Sequence, residues 1–222
     1  MQILITLGIL LLSYIIGSIP FGLVIVRLST GKDIRRVESG RTGGTNAMRA
    51  AGFWAGLGTA IMDLLKGAAM VWLARFIAPT NVWLEVLAPV AAVLGHNYSI
   101  FLAERNEKGQ LRLRGGAGGA TTVGGAIGLW PFSVLIILPL GALILFGVGY
   151  ASVATMSVAF SAFLIFAYRA WIGASPWQYA IYGLITEVIL MIALRPNIRR
   201  LLAGTERMVG WRARHANKTV EE

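Results

Sequence analysis

The stretch Ser39-Gly40-Arg41-Thr42-Gly43-Gly44-Thr45-Asn46, followed by Arg49, is made of residues that hold anions. Arginine supplies a permanent charge and a fork of donors that matches phosphate. Glycine lets bare backbone N–H groups approach a ligand. Thr45 or Asn46 is placed to cap a helix turn carrying Arg49, and the positive end of such a turn favours an anion. Taken by composition alone, a flexible loop with a cap fits equally well.

Two further segments carry a similar inventory. Gly115-Gly116-Ala117-Gly118-Gly119-Ala120-Thr121-Thr122 precedes an apolar run. It lacks the Lys-Ser/Thr pair of a nucleotide P-loop and the strand–helix setting of a dinucleotide glycine motif. Close packing of membrane helices through small residues is the simpler account of it. The third segment, Arg195-Pro196-Asn197-Ile198-Arg199-Arg200-Leu201-Leu202-Ala203-Gly204-Thr205-Glu206, is basic and amphipathic. Alone it reads as an interfacial anchor. Inside the apolar runs, Asp63 and Lys66 are three residues apart and share a helix face, which favours a mutually neutralising pair. His96 is a candidate base or donor, although a hydrogen-bonding packing role is the plainer reading; Glu187 stands isolated.

Other chemistries lack their parts. Phe101 stands five residues after His96 and Val220 five after His215, so there is no His-x-x-x-x-Asp pair. There is no His-Glu-x-x-His helix and no Gly-x-Ser-x-Gly elbow. Cysteine is absent, which removes disulfides and thiolate catalysis. Two His and scattered carboxylates do not suggest a metal site, and no cofactor is expected.

These segments need elements to position them. Of the 222 residues, 56% are hydrophobic and 14% charged, with a mean hydropathy of +0.69. Soluble domains carry roughly 25% charge. The excess apolar content fits several spans of about 20 residues each. We read one all-α, polytopic membrane domain with seven segments: 3–28, 52–77, 81–102, a short fourth ending near Trp130-Pro131, 132–149, 151–169 and 176–194. Pro20 and Gly22 predict a kink in the first. That run begins without a basic region and no cleavage site follows, so it reads as a retained helix. Segments 29–51, 103–117 and 195–222 hold sixteen of the twenty Lys and Arg, against Arg75 and Arg169 on the other side. The positive-inside rule then sets the N-terminus outside and the C-terminus in the cytoplasm. The same topology explains the net charge of +10 without nucleic acid.

One family fits the whole series. Gly17-Ser18-Ile19-Pro20-Phe21-Gly22, Asp33-Ile34-Arg35, Ser39-Gly40, Gly43, Thr45-Asn46, Arg49 and Asp63-Leu64-Leu65-Lys66-Gly67 make one block. Gly95-His96, Phe101-Leu102, Gly115-Gly116, Gly118 and Ala120-Thr121 make a second, and Asn197-Ile198, Arg200-Leu201 and Gly204-Thr205-Glu206 a third. In this order and spacing the chain resembles the acyl-phosphate:glycerol-3-phosphate acyltransferases of bacterial membranes.

The resemblance implies a seven-helix enzyme of the bacterial inner membrane with its site on the cytoplasmic face. It implies acyl phosphate as donor and glycerol 3-phosphate as acceptor, in a setting of membrane lipid. The products would be 1-acylglycerol 3-phosphate and phosphate, the first acylation of phospholipid synthesis. The donor's own phosphate would help remove the hydroxyl proton, so protein work reduces to positioning and electrostatics. Ser39, Arg49 and Asn197 would be catalytic. Arg41, Gly43, Thr45, Asn46, Lys66, His96, Gly115, Gly116, Gly118, Thr121 and Glu206 would bind substrate or phosphate. Three positions depart from the family's usual residues: Arg41 replaces Asn, Ala117 replaces a Lys, and Leu194 replaces a His. Two alternatives follow: a homologue of this fold with an altered donor or acceptor, and a catalytically weak lipid-phosphate-binding protein. A transporter should show an inverted repeat, and none is read here.

Overall fold

A computed structural model describes residues 1–209 of the chain; the end of the basic tail, 210–222, lies outside the described residues. The first apolar run forms α1 (Gln2–Ser18) and α2 (Phe21–Thr30), divided at Ile19–Pro20. Proline lacks an N–H and restricts its neighbour, so the helical ladder stops where the sequence places the kink. The carbonyls opened there find other donors: Ser99 Oγ–H reaches Ser18 O at 2.6 Å and Lys66 Nζ reaches Ile19 O at 3.1 Å.

The first polar segment folds into a 3₁₀ turn at Ile34–Arg36 and helix α3 (Gly44–Ala51). Asp33 starts the turn by accepting from Arg35 N at 2.9 Å. The expected Thr45 or Asn46 cap is not formed: Gly43 occupies the cap position with no side-chain bond. Asn46 turns backward instead, its Nδ2 donating to the carbonyls of Ile34, Val37 and Arg41 at 3.2, 3.0 and 2.8 Å. Ile34 O and Val37 O also accept from Val37 N and Gly40 N, so the amide gathers the carbonyls of the 3₁₀ turn and its following loop rather than capping the helix.

Gly52, at φ 88°, links α3 to the long α4 (Phe53–Ile77), and α5 (Val82–Asn97) returns. The remaining helices are α6 (Gly119–Leu129), α7 (Val134–Val148), α8 (Ala151–Trp171), α9 (Gln178–Ala193) and α10 (Arg195–Leu202). Between α5 and α6 the all-α expectation fails. The third helix ends at Asn97 rather than 102, and β1 (Ser99–Arg105) pairs antiparallel with β2 (Leu111–Arg114). Ile100 and Phe101 favour extended backbone. Asn106 Oδ1 closes the connecting turn by accepting from Lys108 N and Gln110 N at 3.0 and 2.9 Å.

Among the described residues, three stretches are long and apolar enough to cross a bilayer: Gln2–Thr30, Pro131–Val148 and Ala151–Trp171. The pair α9 and α10, bent by 69°, makes a fourth candidate. α4 carries Asp63, Lys66 and Arg75, and α5 has only 16 residues. The short fourth segment is the 11-residue α6. It rises roughly 16 Å, about half a hydrocarbon core.

α6 packs against α4 at contact distance because glycines remove the intervening side chains. A Cβ at Gly67 would lie 2.2 Å from Thr121 O, and one at Gly124 would lie 1.9 Å from Leu64 O. Val71, Val86, Val123, Ala126, Phe166 and Tyr182 form the core between these helices and α5, α8 and α9. The C-terminal end of α6 is held by Arg75, which donates to Gly128 O at 2.7 Å and Leu129 O at 3.0 Å. Glu85 balances Arg75 at 2.7 Å and accepts from Tyr179 Oη–H at 2.6 Å. With its far end fixed, α6 presents its first turn to the opposite end of the bundle, where the polar segments meet.

Candidate active site

A cleft of about 460 Å³ opens there, lined by residues of all three polar segments. One wall is the first turn of α3 with Ser39 and Arg41; a second is the glycine turn Ala117–Ala120 at the start of α6; a third is Asn197, Arg200 and Glu206. Phe53, Gly56, Leu57, Ala60 and Asp63 line it from α4. Their spacing is one helix face. From Phe53 to Ala60 the apolar part of that stripe runs roughly 10 Å along the axis, with Asp63 at its inner end. With Met48 it makes an apolar wall beside a polar mouth.

Two helices, α3 and α6, begin at the cleft, so their unpaired N-terminal N–H groups and positive ends border it. Gly118, at φ 89°, turns the chain into α6 in a conformation that a side chain would oppose. Four arginines line the space: Arg41, Arg49, Arg200 and Arg207. Arg200 pairs with Glu206 at 2.8 Å, and Arg207 pairs with Glu38. Arg41 and Arg49 pair with no carboxylate among the described residues. Arg41 is half-buried; burial lowers its guanidinium's hold on the proton, with the Arg200 charge adding to this. An arginine still keeps its charge under these conditions.

Of the residues expected at the site, Ser39, Arg41, Gly43, Thr45, Asn46, Arg49, His96, Gly118, Asn197 and Glu206 line this one cleft. Their bonding divides them. Asn46 spends its amide donors on the loop backbone, as described above. Asn197 is a relay: its Oδ1 accepts from Arg41 Nη2 at 3.2 Å and its Nδ2 donates to Glu206 Oε1 at 2.7 Å. Glu206 also accepts from Ser152 Oγ at 3.2 Å, tying α10 to α8.

Lys66, Gly115, Gly116 and Thr121 do not line the cleft. Lys66 is buried, with Nζ 2.8 Å from Asp63 Oδ1, 2.9 Å from His96 Nδ1 and 3.1 Å from Ile19 O. An ammonium has three donors. All three are occupied, so Lys66 adds no free charge to the cleft, and the neutralising pair is what forms. His96 Nδ1 faces Lys66 Nζ at 2.9 Å and Asp63 Oδ1 at 3.4 Å, and its Nε2 lies against Gly116, where a Cβ would be 1.9 Å away. Gly115 and Gly116 stand behind the turn: Thr42 N donates to Gly115 O at 3.4 Å, and Gly116 N donates to His96 O at 2.9 Å. Thr121 is fully buried in the α4–α6 contact.

Sequence reading missed the α8 contribution, Ala151, Ser152 and Thr155, and the rim pair Glu38–Arg207. Ser152 and Thr155 are three apart on one face of α8, but the same helix also carries Ser157 and Ser161, so the sequence alone does not single them out. Nothing local marks the rim pair, because its partners are 169 residues apart.

A family model described as glycerol-3-phosphate acyltransferase matches residues 7–204. The chain is 36% identical to glycerol-3-phosphate acyltransferase 3 of Dehalococcoides mccartyi strain CBDB1, over 93% of this chain and 96% of the relative. It is 37% identical to a glycerol-3-phosphate acyltransferase of Thermus thermophilus, over 92% and 95%. Two crystal structures of PlsY (YgiH), an integral membrane glycerol 3-phosphate acyltransferase, are also similar. Its glycerol 3-phosphate form superposes with a TM-score of 0.79 at 31% identity, covering 92% of this chain and 96% of that one. Its lysophosphatidic acid form gives 0.77 at 29% identity, covering 92% and 95%. Full-length similarity to named enzymes, with the polar segments gathered on one cleft, places the protein: it belongs to the glycerol-3-phosphate acyltransferase family and is an acyltransferase.

Proposed function

We propose that the enzyme transfers an acyl chain from acyl phosphate to the 1-hydroxyl of glycerol 3-phosphate. The products are 1-acylglycerol 3-phosphate (lysophosphatidic acid) and inorganic phosphate, and the step is the first acylation of phospholipid synthesis. The observation that carries this reading is one cleft with two guanidinium groups, Arg41 and Arg49, that pair with no carboxylate among the described residues, beside an apolar stripe on α4. Two phosphorylated reactants need two such charges, and an acyl chain needs the stripe. The glycerol 3-phosphate and lysophosphatidic acid forms of the similar PlsY structures support the acceptor and the product.

Acyl phosphate is a mixed anhydride and is already activated, so no covalent enzyme intermediate is required. The 1-hydroxyl oxygen bonds to the acyl carbon. The bond from that carbon to the bridging phosphate oxygen breaks, its electron pair stays on phosphate, and the hydroxyl proton passes to the same phosphate. Catalysis is then alignment and stabilisation of negative charge. Ser39, Thr45 and Arg49 bind phosphate and align the reactants, with the α6 N-terminal turn cradling the second phosphate. Asn197 acts from the opposite wall, where Glu206 and Arg41 fix its orientation.

The membrane arrangement belongs to the same proposal: seven segments, the N-terminus outside, the C-terminus cytoplasmic, and the site on the cytoplasmic face of a bacterial inner membrane. The charge bias of the polar segments supports it. In detergent or lipidic phase, the purified protein given palmitoyl phosphate should release phosphate only when glycerol 3-phosphate is present. Folded protein that binds glycerol 3-phosphate yet releases none would overturn the donor assignment.

A further inference from the structure

Arg41 occupies a singular place in the cleft. Its Nη1 donates to Gly116 O at 3.1 Å, and its Nη2 donates to Ala193 O at 2.6 Å and to Asn197 Oδ1 at 3.2 Å. These acceptors belong to the glycine segment, the end of α9 and α10, so one guanidinium from the first polar segment joins all three. A guanidinium has five N–H donors. Three are used here, leaving two without partners among the described residues. The acceptors are neutral, so they fix the group's orientation and form no ion pair with it among the described residues; the Arg200 and Glu206 charges act on it from farther off with opposite sign. Withdrawing a cation from water without a counter-ion is costly. An arriving anion relieves that cost.

The other basic residues near this wall do not serve it. Arg114 pairs with Glu104 on the hairpin, Arg112 is exposed, and neither lines the cleft. Arg200 is committed to Glu206. Ala117 and Leu194, each next in sequence to a carbonyl that holds Arg41, line the cleft and bring no charge.

We infer that Arg41 is the phosphoryl-binding cation of the α6 side of the cleft, held ready by Gly116, Ala193 and Asn197 and neutralised by a substrate phosphate. This deepens, and rests on, the acyl-phosphate reading. In that reaction the leaving phosphate gains the electron pair of the broken anhydride bond, and the two free guanidinium donors are available to it. The same donors serve the phosphate of glycerol 3-phosphate if that is the one bound here.

The test compares Arg41→Asn, Arg41→Lys, Ala117→Lys and the double variant Arg41→Asn/Ala117→Lys. Each is measured for KM toward palmitoyl phosphate and toward glycerol 3-phosphate, and for thermal stability in detergent. Arg41→Asn should raise KM for one of the two substrates by about tenfold or more, the scale of one lost charged hydrogen bond. A donor-specific rise assigns the acyl phosphate, and an acceptor-specific rise assigns glycerol 3-phosphate. Arg41→Lys keeps the charge and loses the bridging fork, so it should lose thermal stability while holding KM within about threefold. Ala117→Lys should restore KM in the Arg41→Asn background and give no gain in the native one, where two cations would compete for one phosphate.

Equal KM values for Arg41→Asn and Arg41→Lys, or an equal gain from Ala117→Lys in both backgrounds, would reduce Arg41 to a structural clamp and overturn the inference. Calorimetric titration of wild-type and Arg41→Asn protein with inorganic phosphate keeps this outcome separate from failure of the acyl-phosphate reading. It reads the charge without the reaction, and unchanged phosphate affinity would also overturn the inference.

Discussion

Replacing Arg49 by alanine should separate binding from folding. Arg49 sits on α3, lines the cleft, and pairs with no carboxylate among the described residues. Its removal therefore strands no buried opposite charge. Alanine is at least as good a helix former. A substitution of this kind typically changes stability by less than about 0.5 kcal/mol. The catalytic cost is larger. A hydrogen bond to a charged partner contributes about 1.5–3 kcal/mol, and a guanidinium offers phosphate two of them. The lower value taken twice gives about 3 kcal/mol, or roughly a hundredfold loss of kcat/KM at 1.36 kcal/mol per decade. Arg49→Lys, which keeps the charge and loses the fork, should lose roughly tenfold. The assay is phosphate release with saturating palmitoyl phosphate and varied glycerol 3-phosphate, run beside thermal unfolding of the same preparations. If Arg49→Ala keeps kcat/KM within about threefold of the native value, the first-segment site is wrong. A large fall in melting temperature would instead show that Arg49 supports the fold.

Three further perturbations follow from the packing and the loop chemistry. Lys66→Ala leaves Asp63 buried beside His96 without its cation, and should destabilise the protein by about 3–5 kcal/mol; adding Asp63→Asn should recover part of that loss in thermal unfolding. Gly67→Ala drives a methyl group into the Thr121 carbonyl and should cost at least about 1–3 kcal/mol, read as lost monodisperse protein, whereas Gly31→Ala, with open space around it, should lose only the penalty for its left-handed backbone. The Arg35 side chain holds the Asp33 carboxyl at about 2, below its ordinary 3.8. A carboxyl lowered on folding stabilises the fold above its ordinary value, and that contribution is lost as pH falls from about 3.8 toward about 2. Asp33→Asn should remove this acid limb from a pH series of unfolding midpoints, and an unchanged limb would show that other carboxylates dominate it.

The sequence alone determined that the chain is mainly helical and apolar, where its first helix breaks, and which three polar segments hold the phosphate-type residues. Those are local properties: a proline removes an N–H at a fixed position, and a run of apolar residues is apolar whatever surrounds it. It also made the Asp63–Lys66 pair legible, because two charges three residues apart share a helix face. The hairpin after Asn97 was harder to read, since its strands are short and partly polar and their pairing depends on a turn closed by Asn106. What each candidate side chain does was decided only by the tertiary structure. Asn46 and Asn197 look alike as polar residues of a loop, yet one fastens its own segment and the other links Arg41 to Glu206. Lys66 carries its carboxylate three residues away in the sequence, whereas only folding shows that Arg41 is held by neutral oxygens and by no carboxylate among the described residues. Charge compensation depends on which groups lie within a few ångströms in space, and residues 41, 116, 193 and 197 become neighbours only when the helices and loops between them have packed.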